Sequence, residues 1–464
     1  MTTLARQTMA VRNPATGALV GEVPDLGREG ALEALERADG AAPAWAAASA
    51  RARSDVLMGA FELMRQRRAE LAGLIVSENG KSEADALAEV SYAAEYFRWY
   101  AEEGVRVRGQ VFASPTGSNQ ALVSHEPVGT CLLVTPWNFP AAMATRKIGP
   151  ALAAGCTALL KPAPDTPLTA LAVADLLQEA GLPDGVLAVL PTTRAAEVVA
   201  ALLEDERVRM LSFTGSTAVG RQLLAQCADR VVRTAMELGG NAPFLVFDDA
   251  DPDAALEGLL LAKLRNTGQA CTAANRCYLQ RGVPAEWVDR VVAQMASLRV
   301  GDPSRPGVDL GPLINDAAVA KVQALVDDAK AVGARVVLGG AALEGPGSFY
   351  PPTVLLDVPP QARIMHEEVF GPVLPIARFD DEDEAVALAN ATEHGLVSYV
   401  FTEDLARGLR VSRRLQAGMV GLNRGLVSDP AAPFGGVKQS GLGREGSHEG
   451  IHEYLETKYV AARW

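Results

Sequence analysis

From residue 129 onwards, short apolar segments alternate with segments of helical periodicity, and this alternation limits the folds open to the chain. The apolar runs TCLLVTPW, CTALLK, GVLAVL, VRMLSF, RVVRTAM and APFLVF are separated by helix-like sequences. Strands and helices in such alternation predict βαβ units around a parallel sheet. A second alternation follows Cys271, from NRCYLQ to AGMVGLN, and residues 30–104 have helical spacing throughout. The sequence therefore predicts an α/β fold with two such units.

Two further segments, QALVSHEPV near residue 120 and EYLETKYVAAR at the end of the chain, alternate in period two with no helix beside them. We expect them to pair as an arm that joins subunits, and membership of the main sheet is the alternative. The predicted division is a dinucleotide-binding domain (1–109 and 129–237), a catalytic domain (238–443) and an oligomerisation arm (110–128 and 444–464).

Charge and composition exclude several classes of protein. A net charge of −13 without any Lys/Arg-rich run argues against nucleic acid as a partner. No apolar run approaches the roughly 18 residues of a membrane helix, and the first residues lack the apolar core of a signal peptide, so we expect a cytoplasmic protein without a membrane partner. The five cysteines show no CxxC spacing and the five histidines do not cluster with Cys271, so we expect no bound metal and no disulfide framework.

Three residues in separate segments are candidates for chemistry. Cys271 lies in RNTGQACTA, where small and amide-bearing residues surround a thiol that needs a base or local dipoles to become a nucleophile. Glu237 follows the strand RVVRTAM at the edge where parallel sheets bind ligands, and partial burial would make it a usable base. Asn138, in TPWNFP, offers a carboxamide donor for an oxyanion. Each residue also has an ordinary alternative. Cys271 would be a buried structural thiol, Glu237 a solvated residue that caps the next turn, and Asn138 part of a turn.

Two features suggest a dinucleotide. SFTGSTAVG runs from a strand through Gly215 and Ser216 into a helix, and such turns direct backbone N–H groups at a phosphate. The spacing is not GxGxxG, so the turn by itself is a weak fingerprint. Lys161 ends another apolar run, where it would reach a ribose or a phosphate unless it lies on the surface.

Taken together, seven segments resemble the aldehyde dehydrogenase superfamily in the same order over nearly the whole chain: PWNFP, KPAPDTP, FTGSTAVG, MELGGNAP, TGQACTA, EEVFGPV and PFGGVKQSGLGREG. The resemblance implies an aldehyde dehydrogenase-like fold with a Rossmann-type domain. It also implies Cys271 as nucleophile, Glu237 as general base, and Asn138 with the Cys271 amide as oxyanion hole. The implied cofactor-binding positions are Thr135, Pro136, Trp137, Lys161, Pro164, Gly215, Ser216, Leu238, Glu368 and Phe370.

Within that superfamily, FRWYAEEGVRVRGQ, KLRNTGQAC, GLNRGLVSD and HEGIHEYLETKYV resemble the succinate-semialdehyde dehydrogenases. This likeness implies that Arg146, Arg265 and Ser428 grip a distal carboxylate, a task that suits the bidentate guanidinium. Without this likeness, the simpler interpretation of Arg265 is an ion pair on a helix surface. The simpler interpretation of Ser428 is a hydroxyl in a loop.

The expected activity is NAD(P)-dependent oxidation of succinate semialdehyde to succinate through a cysteine thiohemiacetal and thioester. Glutarate semialdehyde or a broad range of aliphatic aldehydes are alternative substrates, and a catalytically silent structural protein is the alternative from another class. Pro164 stands where many NAD-preferring relatives carry Glu, which favours NADP over NAD. We expect the chain to self-associate as a dimer or tetramer.

Overall fold

The structure is a computed structural model that describes residues 7–464, so the first six residues of the predicted dinucleotide-binding domain lie outside the described part. The strands are β1 (Thr8–Arg12), β2 (Leu19–Pro24), β3 (Gln110–Ala113), β4 (Gln120–Pro127), β5 (Thr130–Val134), β6 (Ala158–Lys161), β7 (Leu187–Val189), β8 (Val208–Thr214), β9 (Arg233–Glu237), β10 (Ala242–Val246), β11 (Ala274–Gln280), β12 (Arg335–Leu338), β13 (Thr353–Leu356), β14 (Val373–Phe379), β15 (Val397–Phe401), β16 (Met419–Leu422), β17 (Gly441–Leu442) and β18 (Leu455–Ala462). The helices are α1 (Arg28–Ala47), α2 (Ala50–Gln66), α3 (Arg68–Asn79), α4 (Glu83–Gly104), α5 (Pro140–Ala154), α6 (Pro167–Glu179), α7 (Ala195–Glu204), α8 (Thr217–Ala228), α9 (Pro252–Leu264), α10 (Ala285–Ala296), α11 (Asp316–Ala331), α12 (Glu382–Asn390), α13 (Leu405–Arg414) and α14 (Glu449–His452).

The first predicted α/β unit is a six-stranded sheet in the order β17-β9-β8-β5-β6-β7. All neighbours are parallel except the short edge strand β17, which runs antiparallel to β9. Every residue of β5 and β6 is buried, because helices cover both faces of the sheet, as is usual for parallel strands. The carboxyl ends of β6 and β9 therefore bring Lys161 and Glu237 to one edge.

The second unit is a seven-stranded sheet in the order β12-β13-β14-β11-β10-β15-β16. Only β12 pairs antiparallel with its neighbour, and the other pairs are parallel. The predicted α/β class with two parallel sheets is thus confirmed. The helices predicted between residues 30 and 104 are α1 to α4.

The two period-two segments form β4 and β18, which pair antiparallel from Pro127 opposite Leu455 to Gln120 opposite Ala462. With β3 they make a separate three-stranded sheet, so the alternative of strands within a main sheet does not hold. That this sheet joins subunits stays a prediction. Across residues 7–464, no helix combines the length and the apolar character needed to cross a membrane.

Candidate active site

A cavity of about 260 Å³ contains most of the residues that the sequence predicted to share a site. Its lining is Pro136, Trp137, Asn138, Met143, Thr214, Gly215, Ser216, Leu238, Gly239, Cys271, Ala318, Lys321, Glu368, Val369 and Phe370. These residues come from the carboxyl ends of β5, β8 and β9, from helices α5 and α11, from the loop before β11 and from the segment before β14. The fold thus gathers segments more than two hundred residues apart in sequence, as predicted for the edge of a parallel sheet.

The loop that carries Cys271 is held by carboxamides. Helix α9 ends at Leu264, so Arg265 begins a short 3-10 turn instead of continuing the helix as the sequence suggested. Asn266 has a positive φ of 51° and donates from Nδ2 to the backbone oxygen of Asn138 at 2.8 Å. The Gln269 Oε1 accepts from the backbone N–H of Ile314 at 2.9 Å. The amide-rich sequence before the thiol therefore fixes the thiol's position.

Asn138 is tied to the same loop. Its Nδ2 donates to the Gln269 backbone oxygen at 3.0 Å, and its own backbone oxygen accepts from the buried Lys81 Nζ at 2.9 Å. A carboxamide nitrogen carries two hydrogens, and one remains for an acceptor in the cavity. The side chain is 4% exposed and faces the same cavity as Cys271, so a preorganised donor stands beside the thiol.

The Cys271 thiol is partly exposed to the cavity and uncharged at neutral pH. Burial raises its pKa to about 12, with Arg146 and Arg265 opposing that rise. The thiol therefore needs a proton acceptor before it can attack a carbon atom.

Glu237 ends β9 and is 3% exposed, with neither carboxyl oxygen hydrogen-bonded within residues 7–464. Burial, followed by the neighbouring Glu445, raises its pKa well above the usual range, although Lys147 and Arg146 oppose the shift. The raised pKa favours the protonated acid, and the lack of a hydrogen-bond partner in the described part of the chain leaves the carboxyl free to turn towards water or substrate.

Sequence reasoning missed the ion network behind Glu237. Glu445 contacts the Lys147 Nζ at 2.6 Å and an Arg146 nitrogen at 3.4 Å, and Lys147 also donates to Ser212 Oγ at 2.8 Å. Burial alone would raise the pKa of Glu445, but the two cations outweigh it and hold that pKa below its usual value. The adjacent cations Arg146 and Lys147 in the mostly apolar helix α5 were a sequence signal for a buried anion. The sequence around Glu445 gave no sign that it supplies that anion.

Seven of the ten residues predicted to bind a dinucleotide line the cavity: Pro136, Trp137, Gly215, Ser216, Leu238, Glu368 and Phe370. Ser216 is the N-cap of α8, and Gly215 precedes it where a Cβ would lie 2.5 Å from the Phe213 ring. Glu368 accepts from the Gly240 N–H at 3.0 Å, and burial raises its pKa, with Lys321 and Lys263 opposing. A helix N-terminus approached through a residue without a side chain fits a phosphate.

Two of these seven residues are in contact, and the other three predicted cofactor residues are not among those that line the cavity. The Trp137 and Phe370 rings meet edge to face at 5.5 Å between centroids. Thr135 is buried and donates its N–H to the Lys161 backbone oxygen at 3.1 Å. Burial lowers the pKa of Lys161 to about 8, with Asp165 opposing that shift. Pro164 is exposed and lines a groove separate from the cavity that holds Cys271.

The three residues expected to hold a carboxylate differ in their surroundings. Arg265 is half-buried, lies 4.9 Å from the centroid of the Phe139 ring, and makes no ion pair or side-chain hydrogen bond within residues 7–464. Arg146 is 2% exposed and already bonds Glu445 and the Tyr92 hydroxyl. Ser428 is half-buried in the loop after β16, and none of the three residues is among those that line the cavity.

Fold and cavity together define the class of this protein as a dinucleotide-dependent oxidoreductase. The chain belongs to the aldehyde dehydrogenase family, whose model matches residues 2–460. Enzymes of this family use NAD(P) and act on aldehydes.

Three known proteins illustrate the likeness. The chain is 51% identical to a succinate-semialdehyde dehydrogenase of Paenarthrobacter nicotinovorans, over 93% of this chain and 96% of that protein. It is 50% identical to a glutarate-semialdehyde dehydrogenase of Pseudomonas aeruginosa, over 98% of this chain and 94% of that protein. The crystal structure of an NADP-dependent enzyme of Escherichia coli superposes with a TM-score of 0.97 at 48% identity, covering 98% of this chain and 95% of that one.

Proposed function

We propose that this enzyme oxidises succinate semialdehyde to succinate, with NADP as its preferred cofactor. The observation that carries the substrate is Arg265, a half-buried guanidinium with no ion-pair partner within residues 7–464, close enough to Cys271 to affect its pKa. Even partial burial of a cation without an anion has a desolvation cost, and a substrate carboxylate offsets that cost. An aldehyde with a distal carboxylate places its two ends on Cys271 and Arg265.

Arg146 has a different part in this proposal from the one the sequence suggested. Its guanidinium is bonded to Glu445 and Tyr92 and lies 4.1 Å from the Phe434 ring centroid, so little of its surface is left for a carboxylate. We assign direct binding of the carboxylate to Arg265, and to Arg146 the positioning of Tyr92 and Glu445. Ser428 remains a candidate for closing the far end of the substrate site.

The reaction begins when the Cys271 thiol gives its proton to a water molecule in the cavity and the thiolate attacks the aldehyde carbon. The tetrahedral adduct carries an oxyanion, which accepts from the free Asn138 Nδ2 hydrogen and the Cys271 backbone N–H. A dinucleotide held by Gly215, Ser216 and Glu368 would accept the hydride that leaves this carbon, and Cys271 would then hold the acyl group as a thioester. Glu237, once deprotonated, takes a proton from water, and the hydroxide that results hydrolyses the thioester to the acid.

Two observations support NADP. Pro164 is exposed and presents no carboxylate that would repel a 2′-phosphate. Lys161 lies three residues before it at the end of β6, where its ammonium would attract that phosphate. The similar enzyme of Escherichia coli is also NADP-dependent. Initial rates with NADP and NAD at matched concentrations measure the preference directly.

A substitution at Arg265 tests the substrate. We expect Arg265→Gln to lower kcat/KM for succinate semialdehyde about 10- to 100-fold, the worth of a hydrogen bond to a charged group. Butanal has the same chain length and no carboxylate, so its kcat/KM should change less than threefold. Arg281→Gln, which removes an exposed arginine paired with Asp380, is the matched control. Equal losses for both aldehydes would contradict the proposed carboxylate contact.

Glutarate semialdehyde is the second candidate, because a relative of almost equal identity is a glutarate-semialdehyde dehydrogenase. It has one more methylene between the two ends, and one methylene changes specificity only about 10- to 200-fold. The ratio of kcat/KM for the two semialdehydes decides between them. No turnover of any aldehyde with either dinucleotide would instead favour a structural protein.

A further inference from the structure

Three of the chain's five histidines meet at the base of the three-stranded sheet, outside the cavity that holds Cys271. His448 and His452 belong to the turn of helix around α14, and His125 lies on β4. The His125 and His452 ring centroids are 5.4 Å apart, and those of His448 and His452 are 4.7 Å apart. The reaction proposed above uses none of them.

His448 and His452 have the spacing of metal ligands on a helix. They are four residues apart, and His448 itself has helical dihedral angles of −64° and −32°, so both side chains project from one face. Their Nε2 atoms are 3.1 Å apart. Two nitrogens each about 2.0–2.1 Å from one metal ion lie about 2.9 Å apart at a right angle and about 3.4 Å apart at the tetrahedral angle. The observed separation lies between these limits.

A carboxylate fixes the tautomer that a metal requires. The His448 Nδ1 lies 3.1 Å from Glu103 Oε2 on α4, and the other Glu103 oxygen accepts from Arg106 at 2.7 Å. A carboxylate accepts hydrogen bonds, so His448 carries its hydrogen on Nδ1 and presents the Nε2 lone pair. Metal-bound histidines commonly donate to a carboxylate in this way, which orients the ring and raises its basicity.

We propose that His448 and His452 bind a divalent late transition metal such as Zn²⁺ or Ni²⁺, with Glu103 positioning His448. Imidazole nitrogen suits these ions better than Mg²⁺ or Ca²⁺, which prefer oxygen ligands. Within residues 7–464, no group of three or more His, Cys, Asp or Glu side chains is arranged to hold a metal ion, so water completes the coordination. This proposal replaces the sequence-based expectation that the chain binds no metal.

The ion competes with protons and with a hydrogen bond between the rings. In the metal-free protein one ring nitrogen donates to the other, so His452 must move its hydrogen to Nδ1 when it binds the ion.

Isothermal titration of the chelator-treated enzyme with Ni²⁺, and separately with Zn²⁺, tests the site. We expect one site per chain whose affinity falls at least tenfold in His448→Gln and in His452→Gln. Glu103→Gln should weaken binding about 10- to 100-fold while leaving one site per chain. His366→Gln, which changes an exposed histidine elsewhere on the surface, should bind as the parent does.

Because Zn²⁺ also binds thiolates, the titrations are repeated with Cys271→Ser in each background. Aldehyde oxidation by the two histidine variants should equal that of the parent, which shows that they are folded. A saturable site that survives in the double variant His448→Gln/His452→Gln would overturn the proposal. So would a parent enzyme that takes up neither ion.

Discussion

At the scale of single residues, the chemistry of the cavity depends on where its protons lie. Burial raises the pKa of both Cys271 and Glu237 and so favours the protonated form of each. The reaction needs the thiolate and the carboxylate, and a raised pKa moves the acid limb of the rate profile to higher pH. We therefore expect kcat to keep rising with pH through the neutral range and into the alkaline range. Steady-state rates across that range measure it, and a flat profile would contradict it.

Glu237→Gln separates the two half-reactions. The amide cannot accept a proton, so the thioester should accumulate and kcat should fall about 10²- to 10⁴-fold, the usual contribution of a general base. Rapid-mixing measurements of the first turnover should show a burst of reduced dinucleotide that the parent lacks. Glu367→Gln, at a carboxylate that pairs with Arg363, is the control. A fall in kcat without any burst in the variant would instead assign Glu237 to thiol activation.

At the scale of elements, α9 carries a buried lysine whose protonation links pH to stability. Burial lowers the pKa of Lys263 to about 7, and its Nζ has one hydrogen bond, to Asn275 Oδ1 at 3.3 Å. The unfolded chain holds this proton more tightly than the folded protein does. The free energy of unfolding therefore rises with pH between about 7 and about 10.5 on account of this residue.

Lys263→Met should remove that dependence and stabilise the protein by about 1 to 3 kcal/mol at pH 7, because the desolvation cost outweighs one lost hydrogen bond. The gain should shrink as the pH approaches 10. Urea unfolding at both pH values measures it. Lys330→Met, at an exposed lysine on α11, should change stability by less than about 0.5 kcal/mol. A variant less stable than the parent at both values would contradict the argument.

At the scale of the whole molecule, the three-stranded sheet exposes an apolar row. Val460 pairs with Leu122, which pairs with Val111, so these side chains share one face. Val111 is 69% exposed and Val460 48% exposed. Apolar rows open to solvent mark contact surfaces, and an uncovered sheet edge invites pairing with another chain.

We therefore expect a dimer or tetramer in solution that Val460→Asp shifts towards the monomer. Analytical ultracentrifugation measures the mass of both. Val231→Asp places the same charge on another exposed valine, outside the sheet, and should leave the assembly intact. A parent that sediments as a monomer would refute the role of the arm.

The order of the elements was predictable because periodicity is a local property. Continuous apolar runs such as those of β5 and β6 predict strands that are buried on both faces. The helices between the strands are predicted by the helical spacing of their apolar residues. The end of α9 was not predictable in the same way. Arg265 leaves the helix because Asn266 and Thr267 adopt positive φ, which tertiary hydrogen bonds to Asn138 and Gly311 hold in place.

By itself, the sequence determined the α/β class and the edge on which Glu237 and Lys161 lie, whereas the structure chose between the two pairings left open for the last strand. Only the tertiary structure decided which of the candidate site residues are free to bind a substrate. Arg146 and Arg265 are the same residue type, yet Glu445 neutralises the first and no side chain within residues 7–464 neutralises the second. The physical reason is that burial and charge pairing arise from contacts between residues far apart in the chain, about which local periodicity carries no information.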